Sequence, residues 1–116
     1  MRDKLKGVLP EVDIDKAMEY CGGDDFILQV ALESYCEQDF SGDLGKFFEA
    51  KDIPNYQILV HGVKSTSLTI GLCDLSEKAK QLEQACKDNN WDYIEANHEE
   101  MLAKYADVLA KIKSIL

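Results

Sequence analysis

Positive charge is scarce in this sequence. Thirteen Lys and Arg face 22 Asp and Glu, a net charge of −9 with the histidines neutral, and the isoelectric point lies near 4.6. A face that grips nucleic acid needs surplus Lys and Arg to displace counterions. Binding to an anionic membrane needs the same, so neither is expected as a partner. Long apolar runs are missing too. None exceeds three residues, as in Phe26-Ile27-Leu28 and Ile58-Leu59-Val60, so nothing spans a bilayer. The stretch Met1-Arg2-Asp3-Lys4-Leu5-Lys6 lacks the hydrophobic run of a signal peptide, which points to a cytoplasmic chain. Closely spaced cysteine pairs are also absent. Cys21, Cys36, Cys73 and Cys86 lie 15, 37 and 13 residues apart, which excludes zinc spacing and leaves free thiols acting as small apolar side chains.

Helix breakers are few: 7 glycines and 2 prolines, none of them after Gly71. The long tract that follows, rich in Ala, Leu, Glu, Lys and Gln, favours helix throughout. β-Branched residues never alternate with polar ones over a useful length, and there is no internal repeat. At 116 residues the chain makes one domain. Its breaks predict a short helix over Asp13–Tyr20 and a helix from the N-cap Asp24 to about Gln38, with Ile27, Val30, Ala31, Ser34 and Tyr35 at helical spacing. A shorter helix over Asp39–Ala50 turns Leu44, Phe47 and Phe48 inward. Pro54 suits the first position of a helix that ends at Ile70 before Gly71. Further helices cover Leu72–Lys87 and Trp91 to about Lys113, the last with Ile94, His98, Met101, Tyr105, Val108 and Ile112 as its seam. The expected fold is all-α: an antiparallel up-and-down four-helix bundle with additional short N-terminal helices.

The helix from Pro54 to Ile70 carries the most chemistry. At about 100° per residue, Tyr56, Leu59, Val63, Thr66 and Ile70 fall within roughly 40° of the side opposite His61 and form its buried stripe. His61 therefore faces solvent, with Gln57, Ile58, Lys64, Ser65 and Leu68 around it. A histidine in such company is by default only solvated. The neighbouring helix changes that balance. Helices joined at Gly71-Leu72 pack antiparallel, and His61 and Glu83 each lie 11 residues from Leu72. Both then stand about 16 Å from the turn. Glu83 sits at the edge of the seam Leu75, Ala79, Leu82 and Cys86. Its carboxylate can accept from Nδ1–H of His61, fixing the tautomer and leaving Nε2 as an outward nucleophile. Lys64, one turn along, stands beside any anion carried there.

The segment His61-Gly62-Val63-Lys64-Ser65-Thr66-Ser67-Leu68-Thr69-Ile70-Gly71, continued by Leu75 and Leu82-Glu83, resembles the signature of histidine phosphotransfer (HPt) domains. That signature places an aliphatic at +2 from the histidine, lysine at +3, small residues from +4 to +6 and glycine at +10. Leucine follows at +14, and Leu-Glu or Leu-Gln at +21 and +22. Asp13-Ile14-Asp15 and Cys21-Gly22-Gly23-Asp24 look like the family's N-terminal portion, so the resemblance covers roughly residues 12–114.

The resemblance implies a phosphocarrier without kinase activity or bound nucleotide. His61 Nε2 would take a phosphoryl group from the phosphoaspartate of one receiver domain and pass it to another. The partners so implied are response-regulator receiver domains and a hybrid sensor histidine kinase. No cofactor or metal belongs to this chain; Mg²⁺ comes with the receiver. Lys64 would offset phosphate charge and Glu83 would orient the ring. Gln57, Ile58, Ser65 and Leu68, with Val60 beside them, would form the receiver docking patch of a monomer, through a small transient interface. Two residues depart from an easy fit. Ser65 stands at +4, where the family has glycine, and narrows the approach. Gly62 is a helix-interior glycine costing about 1 kcal/mol against alanine. The competing reading is an HPt-like helical interaction module that binds partners without transfer. His98 reads as a hydrogen-bonded core histidine; Trp91, Tyr93, Phe47 and Phe48 as packing residues; Glu95, Glu99 and Glu100 as a solvated face. A metal- or haem-binding bundle would need paired inward ligands, which the helical wheels do not show.

Overall fold

The computed structural model of the protein describes residues 1–116. Seven helices account for its regular structure: α1 Arg2–Val8, α2 Ile14–Tyr20, α3 Asp25–Glu37, α4 Ser41–Glu49, α5 Ile53–Thr69, α6 Cys73–Lys87 and α7 Trp91–Lys113. The chain is all-α, as its patterning predicts. No helix is long and apolar enough to cross a membrane.

Local chemistry sets the boundaries. Asp13, Asp24, Asp52 and Asn90 each accept a hydrogen bond from a backbone N–H in the first turn of the helix they precede, satisfying donors that would otherwise be orphaned. Ile53, not Pro54, is the first residue of α5. Proline is tolerated one place further in because that N–H has no intrahelical partner either. Gly71 adopts φ +82° and closes α5. Leu72 N–H donates to Ser67 O at 2.9 Å and Gly71 N–H to Leu68 O at 3.1 Å, the pair of bonds that a left-handed C′ residue makes. A second constraint acts there: Asp13 N–H donates to Gly71 O at 2.8 Å, and a Cβ on Gly71 would lie 2.3 Å from Asp13 O.

Four rods make the bundle, and α3 and α4 together are the first of them. Tyr35 meets Ser67, Phe40 meets Gly62 and Phe48 meets Tyr56. The two helices thus run one after the other, antiparallel to α5. Tyr105 of α7 holds the break between them: its hydroxyl accepts from Phe40 N–H at 3.1 Å and donates to Gln38 O at 3.2 Å. The rods α5, α6 and α7 follow by tight turns, and the molecule extends 40 × 22 × 20 Å. The short helices α1 and α2 pack at the side through Leu5, Leu9, Val12, Ala17 and Met18.

The α7 seam is buried as the spacing predicts, from Ile94 to Ile112. Two expected faces are corrected. In α3 the core side chains are Leu28, Leu32 and Tyr35, while Ile27 and Val30 lie open to solvent. In α5 the buried stripe is Tyr56, Val60, Val63, Ser67 and Ile70, and Leu59 and Thr66 are only half-buried. That stripe is turned by about 40° from the expected one. Ser67 explains the shift: its hydroxyl shares a 3.0 Å hydrogen bond with Tyr35, so a polar residue occupies the core side without leaving an unpaired group.

Candidate functional site

The site lies where α5 faces α6. The equal arms of the hairpin bring His61 and Glu83 level. His61 Nδ1 and Glu83 Oε2 are 2.5 Å apart. The imidazole side chain is 59% exposed and the carboxylate side chain only 7%, so a solvent-facing ring is tethered to a buried anion. On the other oxygen, Lys64 Nζ donates to Glu83 Oε1 at 2.6 Å. Ser76 Oγ donates to Lys64 O at 2.9 Å and ties the two helices together one turn nearer the hairpin.

Electrostatics fix the roles. Burial alone would raise the Glu83 carboxyl, but the hydrogen bonds from Lys64 and His61 outweigh it and hold the group below its ordinary range. Glu83 is therefore ionised at neutral pH and can only accept. The hydrogen of this contact belongs to Nδ1, and the lone pair of the neutral ring belongs to Nε2. That atom has no hydrogen-bond partner within the protein. Whenever Nε2 is unprotonated, its lone pair points outward and the anion behind the ring stabilises positive charge there, an arrangement with which an imidazole can act as a nucleophile.

The residues expected around it fall into two groups. Ile58 is 66% exposed and Ser65 is exposed, with Gln57 and Leu68 half-buried on the same surface. Val60 leaves the expected docking patch: it is fully buried, because the true stripe of α5 runs through it. Lys64 does not stand free beside Nε2. It is half-buried and paired with Glu83, a bond the wheel of α5 does not reveal because it depends on how α6 packs. Gly62 also acquires a reason. A Cβ there would come within 3.1 Å of Phe40 Cε2, so the missing side chain makes room for the ring at the α3–α4 break. Phe40 is a site neighbour that sequence reasoning missed; a glycine beside the histidine was its one signal.

The other imidazole belongs to the core. His98 is buried, hydrogen-bonded through Nδ1 to Tyr56 Oη at 2.7 Å and stacked on Phe48 with ring centroids 3.9 Å apart. Trp91 also stacks on Phe48, with ring centroids 5.2 Å apart. Burial depresses the His98 ring pKa, against a smaller opposing pull from Glu99, and pushes the Tyr56 hydroxyl upward. Every buried polar side chain has a partner. No three His, Cys, Asp or Glu side chains converge as metal ligands would. A scan against protein-family models, a search of curated proteins and a search of solved structures each found no match.

Proposed function

We propose that the chain is a histidine-containing phosphotransfer protein of a two-component phosphorelay, carrying a phosphoryl group on His61 between receiver-domain aspartates. The observation that carries this reading is the exposed imidazole of His61 held at Nδ1 by the buried, ionised Glu83. The HPt-like spacing from His61 to Glu83 supports it. In the step so read, the Nε2 lone pair attacks the phosphorus of an aspartyl phosphate. An N–P bond forms as the P–O bond breaks, and the aspartate leaves as a carboxylate. Positive charge gathers on the ring, where Glu83 lies in contact and lowers its energy. Lys64 holds the other carboxylate oxygen and is near enough in sequence to answer the new negative charge. The chain has no kinase activity of its own. Its partners are receiver domains, including that of a hybrid sensor histidine kinase, which bring the Mg²⁺ that transfer requires. A cytoplasmic monomer docking through Ile58, Gln57, Leu68 and Ser65 fits this exchange.

Ser65 favours the second reading, a module of the same shape that binds receivers without transfer, because it narrows the approach where the family pattern has glycine. Incubation with phosphorylated receiver domains separates the two. Acid-labile, base-stable label on the wild type and none on His61→Gln is the expected result. Label persisting in His61→Gln overturns the relay reading; binding without label selects the module.

A further inference from the structure

Between Ser65 and Thr69 four residues of α5 carry hydroxyls, and three of the four are already engaged. Thr66 Oγ1 donates to Gly62 O at 2.7 Å, Thr69 Oγ1 donates to Ser65 O at 3.0 Å, and Ser67 is hydrogen-bonded to Tyr35. The hydroxyl of Ser65 has no partner within the protein and the residue is exposed. Ser65 stands one turn after His61 on the same strip of helix. Helical side chains lean toward the N-terminus, so that of Ser65 covers the turn bearing the imidazole. The nearest cation, Lys64, is meanwhile bound to Glu83.

We propose that Ser65 Oγ–H donates to a phosphoryl oxygen carried on His61 Nε2, so that Ser65 is this chain's phosphoryl-holding residue. The inference rests on the relay reading of His61 and deepens it. A hydrogen bond to a charged phosphoryl oxygen is stronger than one between neutral groups, whereas water alone serves the hydroxyl before transfer. Ser65 therefore lowers the energy of the phosphorylated state relative to the free one. Where glycine would leave the group to solvent, this chain retains it.

The test uses the full chain and N-phosphoimidazole, a donor that needs no receiver. In the exchange the N–P bond forms at Nε2 as the donor's N–P bond breaks, and the departing imidazole takes up a proton from solvent. Phosphorus NMR follows the equilibrium, with His61→Gln identifying the protein resonance. The equilibrium constant is expected to fall about tenfold in Ser65→Ala, the factor that 1.4 kcal/mol makes. Equal constants for the two proteins overturn the proposal. Receivers take no part in this reaction, so its failure leaves the relay reading to be judged by receiver labelling alone. Failure of receiver labelling likewise leaves the exchange result intact.

Discussion

Glu83→Gln isolates the charge that the site depends on, because it preserves shape and one acceptor oxygen while removing the anion. In the native protein that anion receives Nδ1 of His61 at 2.5 Å and Nζ of Lys64 at 2.6 Å. Hydrogen bonds to charged groups contribute about 1.5–3 kcal/mol each when well buried. Both donors here reach toward water, His61 being 59% and Lys64 27% exposed, so screening cuts the sum. A loss of about 1–2 kcal/mol at neutral pH follows, equivalent to a fall in Tm of about 4–8 °C for a chain of this size. The pH dependence carries the sign. The Glu83 carboxyl titrates below its unfolded value of 4.5, so its stabilisation is present above that pH and disappears as acid protonates the folded group. Wild type and variant should therefore differ most above about pH 5 and converge in more acidic solution. Function should suffer more than stability. The amide can either accept from Nδ1 or donate to it, so the ring samples both tautomers. Activity is expected to fall by about 10–100-fold, as when an orienting partner of a metal-ligating histidine is lost. Nitrogen NMR of the His61 ring reads the tautomer directly, and receiver labelling reads the rate. A Gln variant with the wild-type tautomer, transfer rate and acid profile would refute the reasoning.

Other substitutions probe the frame around the site. Gly71→Ala forces a side chain into φ +82° and against Asp13 O at 2.3 Å; a loss of about 2–4 kcal/mol by urea unfolding is expected, from left-handed strain plus overpacking. Gly45→Ala meets open space in α4 and should raise stability by about 1 kcal/mol, whereas Gly62→Ala must displace the pinned Phe40 ring and should gain markedly less in the same assay. His98 is buried neutral with its pKa lowered. Unfolding lets it take up a proton below its ordinary value of 6.5, so stability falls as pH drops from there toward the folded value. Thermal melting of His98→Gln should show a smaller loss than wild type between about pH 7 and pH 5.5.

The hairpin that carries the site was legible because its markers are strong and local. Gly71 is the one residue type that tolerates both the positive φ and the approach of Asp13, and residue counting from it sets His61 level with Glu83. The α7 seam was equally plain, since its large apolar residues lie on one side and the alanines Ala96, Ala103, Ala106 and Ala110 on the other. In α3 apolar residues occur on both sides, Leu28 and Leu32 on one and Phe26, Ile27 and Val30 on the other, so periodicity alone cannot choose between them. Packing chooses, through the Tyr35 ring set edge-on to Tyr105 at 6.0 Å. The α5 stripe was misplaced for a related reason: Ser67 reads as a surface residue until Tyr35 is seen to satisfy it. Short N-terminal helices are expected, but the bounds of α1 are not marked in the sequence, because Leu5 is its single buried side chain. The Lys64–Glu83 bond and the Phe40 ring beside Gly62 are contacts between distant segments, and no pattern within either segment encodes them.

The α5–α6 hairpin works as a caliper, and this limits which insertions and deletions the chain tolerates. One residue added between Leu72 and Leu82 would advance Glu83 by about 1.5 Å and swing its azimuth by about 100°. The carboxylate would then leave the imidazole for a neighbouring groove although the bundle itself could re-form. Seven residues added to each arm would return both groups to a common height with a drift of only about 20° per arm. Length changes compatible with this site should therefore come as matched heptads in α5 and α6, never as single residues in one jaw.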